Sequence, residues 1–171
     1  LEPIDPIDGA ELVVMETTYG DTLHPAGDPP HILRTEITTI EKSGGTLLIP
    51  AFSLDRTQDL LHHIMHLKIA GEISPATPVF LDSPMAQKAT AIYLKYPNMF
   101  NTHMREESLK VNPFEFPGMV VVSDAKDSAA LHDTPGAKVI IAGSGMMTGG
   151  RIIGHAAYYL PQSSTRLLFV G

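Results

Sequence analysis

GGTLLIPAFSLDRTQDLLHHIMHLKI, residues 44–69, contains two hydrophobic patterns that indicate how this chain folds. Residues 47–49 form a continuous apolar run, and continuous rather than alternating hydrophobicity marks a strand that is covered on both faces. Residues 55–69 carry apolar side chains at helical spacing, and Gly71 follows where the helix should end. A buried strand followed directly by a helix is typical of a parallel α/β sheet.

The same alternation recurs along the chain. Further apolar runs predict buried strands at residues 12–15, 79–81, 119–122, 139–142 and 167–170. Helices are predicted at residues 31–42, from Pro84 onward behind an Asp82-Ser83 cap, and from Gly150 to about Leu160. Residues 98–117 break the rhythm and predict a loop with one short helix. We therefore predict a three-layer α/β fold, in which helices cover both faces of a mainly parallel central sheet of about five or six strands.

Length and composition fit one domain, residues 1–171. The chain is 43% apolar, which is enough for a sizeable core. With 12 Lys and Arg and 19 Asp and Glu, the chain has a net negative charge, which opposes long-range attraction of a phosphate backbone. A local basic or amide-lined groove can still bind phosphate. Because Cys is absent, a metal site would use His and carboxylates, and a reducing cytoplasm fits. No apolar run approaches the roughly 20 residues that span a bilayer, so we predict a soluble cytoplasmic protein without membrane contact.

Ligands bind outside the carboxyl ends of the strands in doubly wound sheets, so the residues that follow each strand are candidates for a site. Four such junctions are polar or glycine-rich: residues 16–20, residues 50–53 with Arg56, residues 82–85, and residues 143–151. In the last one, small residues would let backbone amides approach an anion at the positive end of the following helix. The alternative is a tight turn that needs glycine for its geometry, and the residues alone favour neither.

Single residues at these junctions have alternative roles. Glu16 at a strand end could orient a metal-ligating His, but a capping carboxylate is commoner. His24 could carry a proton, although a single loop His usually does not, and Arg56 could contact phosphate or form an ion pair. His62 and His66 have the i, i+4 spacing that chelates zinc. Because the Glu of a His-Glu-x-x-His motif is missing and His63 indicates a polar helix face, we predict no metal there.

Four blocks in this order resemble the β-CASP family of RNA-processing metallo-β-lactamase enzymes. They are residues 16–21 with His24, residues 44–52 with Arg56 and Gln58, residues 78–86, and residues 142–151. The resemblance covers the chain from about Ala10 to Gly171. It is closest to bacterial and archaeal ribonucleases and to the cleavage enzyme of messenger-RNA 3′-end formation.

This resemblance implies that the chain is a β-CASP cap domain, a fragment of a longer zinc-dependent ribonuclease. In that family a metallo-β-lactamase domain of the same polypeptide supplies a His-x-His-x-Asp-His cluster for two zinc ions, and this chain has no such cluster. Glu16 falls on the acid of the family's first motif, with Thr17 in place of the usual Ser. The zinc ligands would lie outside this chain, so we expect the isolated chain to be inactive and to hold no stoichiometric zinc.

The resemblance also implies roles for individual residues. Glu16 and His24 are the candidates for catalysis. The candidates for binding RNA are Arg56, Ser83, Ser144, Gly145 and Arg151. DNA as the substrate, a non-catalytic scaffold and a homodimer stay open, and a small-molecule or nucleotide-binding α/β domain ranks last because residues 16–20 lack the glycine pattern of a dinucleotide site.

Overall fold

A parallel sheet of five strands forms the centre of the computed structural model, which describes residues 8–23 and 27–170. The strands are β1 (Thr46–Pro50), β2 (Val79–Asp82), β3 (Met119–Val121), β4 (Lys138–Ala142) and β5 (Arg166–Leu167). Their order across the sheet is β3-β2-β4-β1-β5, and every neighbouring pair is parallel. The predicted α/β class with a parallel central sheet is confirmed.

Six α-helices connect and cover these strands in the described part of the chain. They are α1 (Pro29–Ser43), α2 (Arg56–Ile69), α3 (Pro84–Lys95), α4 (Thr102–Ser108), α5 (Ala125–Ala130) and α6 (Arg151–Tyr159). Short 3-10 turns follow α3 at Pro97–Met99 and α5 at Leu131–Asp133. The helices α1, α2, α3 and α6 were predicted, and so was the short helix α4. The helix α5 was missed because its sequence, AKDSAA, has no apolar repeat.

Side-chain caps fix where two of the predicted helices begin. The Asp28 carboxylate accepts a hydrogen bond from the His31 amide, and Pro29 follows at the first position of α1. Likewise the Ser83 hydroxyl accepts from the Ala86 amide at 3.2 Å before α3. Each cap satisfies an amide that the helix itself leaves without a partner.

Alternate residues of the strands face two separate hydrophobic cores. Leu47 and Ile49 of β1 pack in one core with α1 and α2, whereas Leu48 between them packs in the other core with Ile152 of α6. The same alternation holds in β2 and β4, since successive side chains of a strand point to opposite faces. Both faces of the sheet are therefore covered by helices, which confirms the three-layer arrangement.

The strand predicted at residues 12–15 is wrong. These residues form no strand in the structure, and their four side chains are 64–88% exposed. An apolar run becomes a strand only where a neighbouring strand shares hydrogen bonds with it, and among the described residues no strand pairs with this run. The strand predicted at residues 167–170 is also shorter than expected. Regular pairing ends at Leu167, and only the Leu168 amide continues it by donating to the Leu48 carbonyl at 3.0 Å.

Within the described residues, no helix combines the length and apolar character needed to cross a membrane.

Candidate functional site

The carboxyl ends of β1, β2 and β4 lie side by side and bring three of the predicted junctions together. The Ser53 and Ser83 hydroxyl oxygens are 3.2 Å apart. A Cβ atom placed on Gly143 would lie 3.8 Å from the same Ser83 oxygen. We call this surface, formed by Phe52, Ser53, Ser83 and residues 143–148, the carboxyl-edge site. Its position agrees with the rule that ligands of such sheets bind beyond the carboxyl ends of the strands.

Hydrogen bonds within the glycine-rich turn close it on itself. The Ser144 amide donates to the Gly149 carbonyl at 3.1 Å, and the Ser144 hydroxyl accepts from the Thr148 amide at 3.2 Å. The Ile152 amide at the start of α6 donates to the Gly143 carbonyl at 3.0 Å. The turn thus has a fixed shape, and the Ser144 hydroxyl has a structural role within it. The predicted phosphate contact of Ser144 stays a prediction.

Gly145 is buried beneath the ring of Phe52. A Cβ atom on Gly145 would lie 2.8 Å from a ring carbon of Phe52 and 2.9 Å from its backbone nitrogen, closer than carbon atoms approach without displacement. This burial favours a packing role for Gly145 over direct contact with RNA. Phe52 itself is 49% exposed. Sequence reasoning did not assign Phe52 a role, although an aromatic residue directly after a buried strand was the available signal.

A buried network at the end of β2 holds Arg151. The Asp82 carboxylate is fully buried and accepts hydrogen bonds from Arg151, Ser128 and His155, the last at 2.7 Å from Nε2. The Arg151 guanidinium also donates to the Ser123 carbonyl at 2.7 Å. These contacts favour a role for Arg151 in anchoring α6, and its predicted contact with substrate stays a prediction.

The pKa of Asp82 reflects this network. Burial alone would raise the pKa of the carboxyl, but hydrogen bonds from His155, Ser128 and Arg151, with the charge of Arg151, outweigh burial and hold the pKa below its ordinary value. Ser128 and His155 both contact the same oxygen, Oδ2 of Asp82. A hydrolytic triad needs the carboxylate and the hydroxyl at opposite nitrogens of the imidazole, so these three side chains do not form one.

Two of the remaining predicted residues, Glu16 and Arg56, form no hydrogen bond or ion pair with the carboxyl-edge site in the described part of the chain. Glu16 is exposed, and a hydrogen bond from the Thr18 amide at 3.0 Å holds the pKa of its carboxyl below the ordinary value. His24 falls outside the described residues. Arg56 begins α2 and pairs with Asp59 at 3.4 Å, the ion-pair alternative considered from the sequence.

Folding adds a third ligand to the histidine pair on α2. The Glu107 carboxylate of α4 lies 2.7 Å from His62 Nε2 and 2.9 Å from His66 Nε2. Among the described residues, this is the one group of three His or acidic side chains close enough to share a metal ion. The sequence spacing could not show it, because Glu107 is 41 residues beyond His66 and no short motif joins them.

Comparison with known proteins agrees with the blocks seen in the sequence. The family model described as the Beta-Casp domain matches residues 57–171. Ribonuclease TTHA0252 of Thermus thermophilus is 37% identical over 168 residues, which are 95% of this chain and 37% of that protein. Transcription termination factor FttA of Thermococcus kodakarensis is 32% identical over 94% of this chain, and Endoribonuclease YSH1 of Mycosarcoma maydis is 30% identical over 88% of it. The chain spans 37%, 25% and 16% of the lengths of these three relatives.

Proposed function

Because this chain belongs to the β-CASP family, we propose that it is the RNA-clamping cap of a ribonuclease that hydrolyses RNA phosphodiester bonds. The observation that carries the proposal is the carboxyl-edge site. There the half-buried Ser53 hydroxyl, which contacts the hydroxyl of the buried Ser83, lies beside the hydrogen-bonded glycine turn and the half-exposed Phe52. Hydroxyls can hydrogen-bond a sugar–phosphate backbone, and an aromatic ring can stack on a base without regard to its identity.

RNA is favoured over DNA as the substrate. Two of the relatives are named as ribonucleases, one of them from a bacterium and the other from a fungus. The Ser53 hydroxyl at the carboxyl edge also suits RNA, because the 2′-hydroxyl of ribose both donates and accepts hydrogen bonds and is the group that separates RNA from DNA. The net charge of −7 supplies no long-range attraction, so short-range stacking and hydrogen bonds would have to provide the affinity.

We place the catalytic zinc ions in a metallo-β-lactamase domain of a longer polypeptide. The described residues of the carboxyl-edge site do not fit a catalytic zinc, since they present hydroxyls and amides. The neighbouring Asp82 carboxylate already forms ion pairs with Arg151 and His155. The chain would position RNA, and the cleaving groups would come from the other domain. Catalytic roles for Glu16 and His24, a homodimer and a cytoplasmic location stay predictions.

Cleavage assays on matched strands test this proposal. We expect the longer polypeptide that carries this chain to cleave single-stranded RNA at least about tenfold faster than DNA of the same sequence, because the cap favours ribose. A chelator should abolish the cleavage, and this chain alone should cleave neither strand. Equal cleavage of DNA would instead indicate the DNA-processing branch of the superfamily. A longer polypeptide that binds RNA without cleaving it would indicate a scaffold.

Replacing Phe52 with Ala should weaken RNA binding by roughly tenfold or more, since stacking of one base on an aromatic ring contributes about 1–3 kcal/mol. The measurement is the Kd of the longer polypeptide for a fluorescent single-stranded RNA. Tyr96→Ala is the matched control: its ring is also 49% exposed, but it lies at the far end of α3, about 18 Å of helical rise from the carboxyl edge. Equal losses in both variants, or none in Phe52→Ala, would contradict the stacking role.

A further inference from the structure

His62, His66 and Glu107 form a cluster between α2 and α4, away from the carboxyl-edge site. His66 lies about 15 Å along α2 from Arg56, the residue that begins the helix at the carboxyl edge. Both histidines point Nε2 at the Glu107 carboxylate, and the two Nε2 atoms are 3.0 Å apart. Three potential ligands therefore converge on one point.

With Glu107 ionised, protons alone leave one of the three contacts of this cluster without a hydrogen bond. If both Nε2 atoms carry a proton, both can donate to Glu107, but then two N–H groups face each other at 3.0 Å. If one Nε2 loses its proton, that nitrogen turns a lone pair toward a carboxylate oxygen that also carries lone pairs. A bound cation removes the conflict, because all three groups then direct lone pairs at it.

Burial and neighbouring charges also favour a cation here. The Glu107 side chain is only 15% exposed, so little water is available to solvate its carboxylate. A cavity of about 160 Å³ opens beside His62, and the carboxylates of Asp55 and Asp59 help to line it. This space is large enough for water, which could complete the coordination of an ion.

We propose that His62, His66 and Glu107 bind one Zn²⁺ ion, or a transition-metal ion of similar ligand preference, with water from the cavity as a further ligand. Two imidazoles and one carboxylate suit this class of ion, whereas Mg²⁺ prefers oxygen ligands. Neighbouring ligand atoms around tetrahedral zinc are about 3.4 Å apart, so the side chains would move outward by only a few tenths of an ångström.

The ion would fasten α4 to α2. No residue of α4 is fully buried, and its apolar contact with the core is the partly buried Met104, so an added bond to α2 would strengthen its attachment. The ends of the surrounding segment are already fixed: Phe100 is in the core, and Lys68 Nζ at the end of α2 donates to the Pro117 carbonyl at 2.7 Å. Glu107 lies between these two attachments. The site is independent of the proposed RNA contacts. The proposal is opposite to the sequence-based predictions of no metal at His62 and His66 and no stoichiometric zinc in the isolated chain.

Metal analysis of the chelator-washed chain tests the proposal. After ZnCl₂ is added and the excess removed, we expect one zinc ion per chain, and we expect added Zn²⁺ to raise the Tm while Mg²⁺ does not. Glu107→Gln and His66→Gln should each lower the Zn²⁺ affinity on the order of 100-fold or more, since even partners outside the first coordination shell contribute 10- to 100-fold. Circular dichroism shows whether each variant is folded. If one of them misfolds, the Zn²⁺ affinity of the folded one tests the proposal.

His63→Gln is the matched control, because it removes a neighbouring imidazole of the same helix that lies outside the cluster. Its zinc content and Zn²⁺-dependent Tm should equal those of the original chain. A purely hydrogen-bonded cluster gives a different pattern: no zinc is retained, or the same amount is retained in all three variants. Either result would overturn the proposal without bearing on RNA cleavage.

Discussion

Replacing Asp82 with Asn should lower the free energy of unfolding by about 3 kcal/mol. Removing one partner of a buried ion pair costs about 3–5 kcal/mol, and the lower end applies because the Arg151 side chain is still 22% exposed. The variant also places an amide where His155 and Ser128 meet a carboxylate oxygen. Urea unfolding at pH 7, with the slope compared between variants, measures the difference.

Asp59→Asn is the control for this loss, because Asp59 forms an exposed pair with Arg56 and such pairs contribute about 0–1 kcal/mol.

The pH dependence of the free energy of unfolding is a second test of the Asp82 network. The folded pKa of Asp82 lies below its ordinary value of 3.8, so its stabilisation is fully present above pH 3.8 and is lost as the pH falls through the folded pKa. The gap between the original chain and Asp82→Asn should narrow below about pH 4. A gap that is constant with pH, or a loss no larger than that of Asp59→Asn, would show that the network is not a major source of stability.

Gly150→Ala should destabilise the chain by about 3 kcal/mol and weaken RNA binding by the longer polypeptide. Gly150 has φ 78° and ψ −173°, a conformation that is essentially restricted to glycine and costs other residues about 1–3 kcal/mol. Its added Cβ would also lie 2.4 Å from the Gly143 carbonyl oxygen, which accepts the first hydrogen bond of α6 from Ile152. The turn that supports Phe52 would therefore have to open. Thermal unfolding and RNA affinity, measured on the same preparations, report the two effects.

Gly154→Ala is the control for Gly150→Ala. Gly154 lies inside α6, no atom lies within 4 Å of its added Cβ, and alanine there should stabilise the helix by about 0.5–1 kcal/mol. Zinc content should be the same in both variants. If Gly150→Ala is as stable as the original chain, then the backbone conformation at this position does not require glycine. If stability falls while RNA affinity is kept, the turn is structural alone.

Local patterns in the sequence were sufficient to predict most of the fold. Apolar runs located four strands of the sheet, and Ser83 with Pro84 correctly marked where α3 begins. The run at residues 12–15 failed because hydrophobicity shows that a segment is apolar but not whether a strand lies beside it. Apolar runs and helix caps each involve only a few neighbouring residues, so they can be recognised in the sequence before the fold is known.

The candidate site was predictable only where it follows directly from strand ends. Ser83 and Ser144 lie at the same edge of the sheet because parallel strands place their carboxyl ends together. Arg151 was assigned to substrate, yet its partner Asp82 is 69 residues away in the chain. Glu107 and the histidines of α2 are separated in the same way. Pairings of this kind depend on how the helices pack, which a local pattern does not encode.

The central position of β4 has a consequence for synthesis on the ribosome. The strands β1 and β2 do not pair with each other, and both pair with β4. Thr46 therefore cannot pair until Lys138 has been synthesised, and Val79 cannot pair with β4 until Val139 has been synthesised. Until the ribosome has released residues 138–142, β1 and β2 have unpaired edges and apolar faces that other nascent chains could join. Such distant pairings also slow folding, because a long loop must close before any contact forms. Between translation of β1 and release of β4, these unpaired strands therefore expose the chain to aggregation.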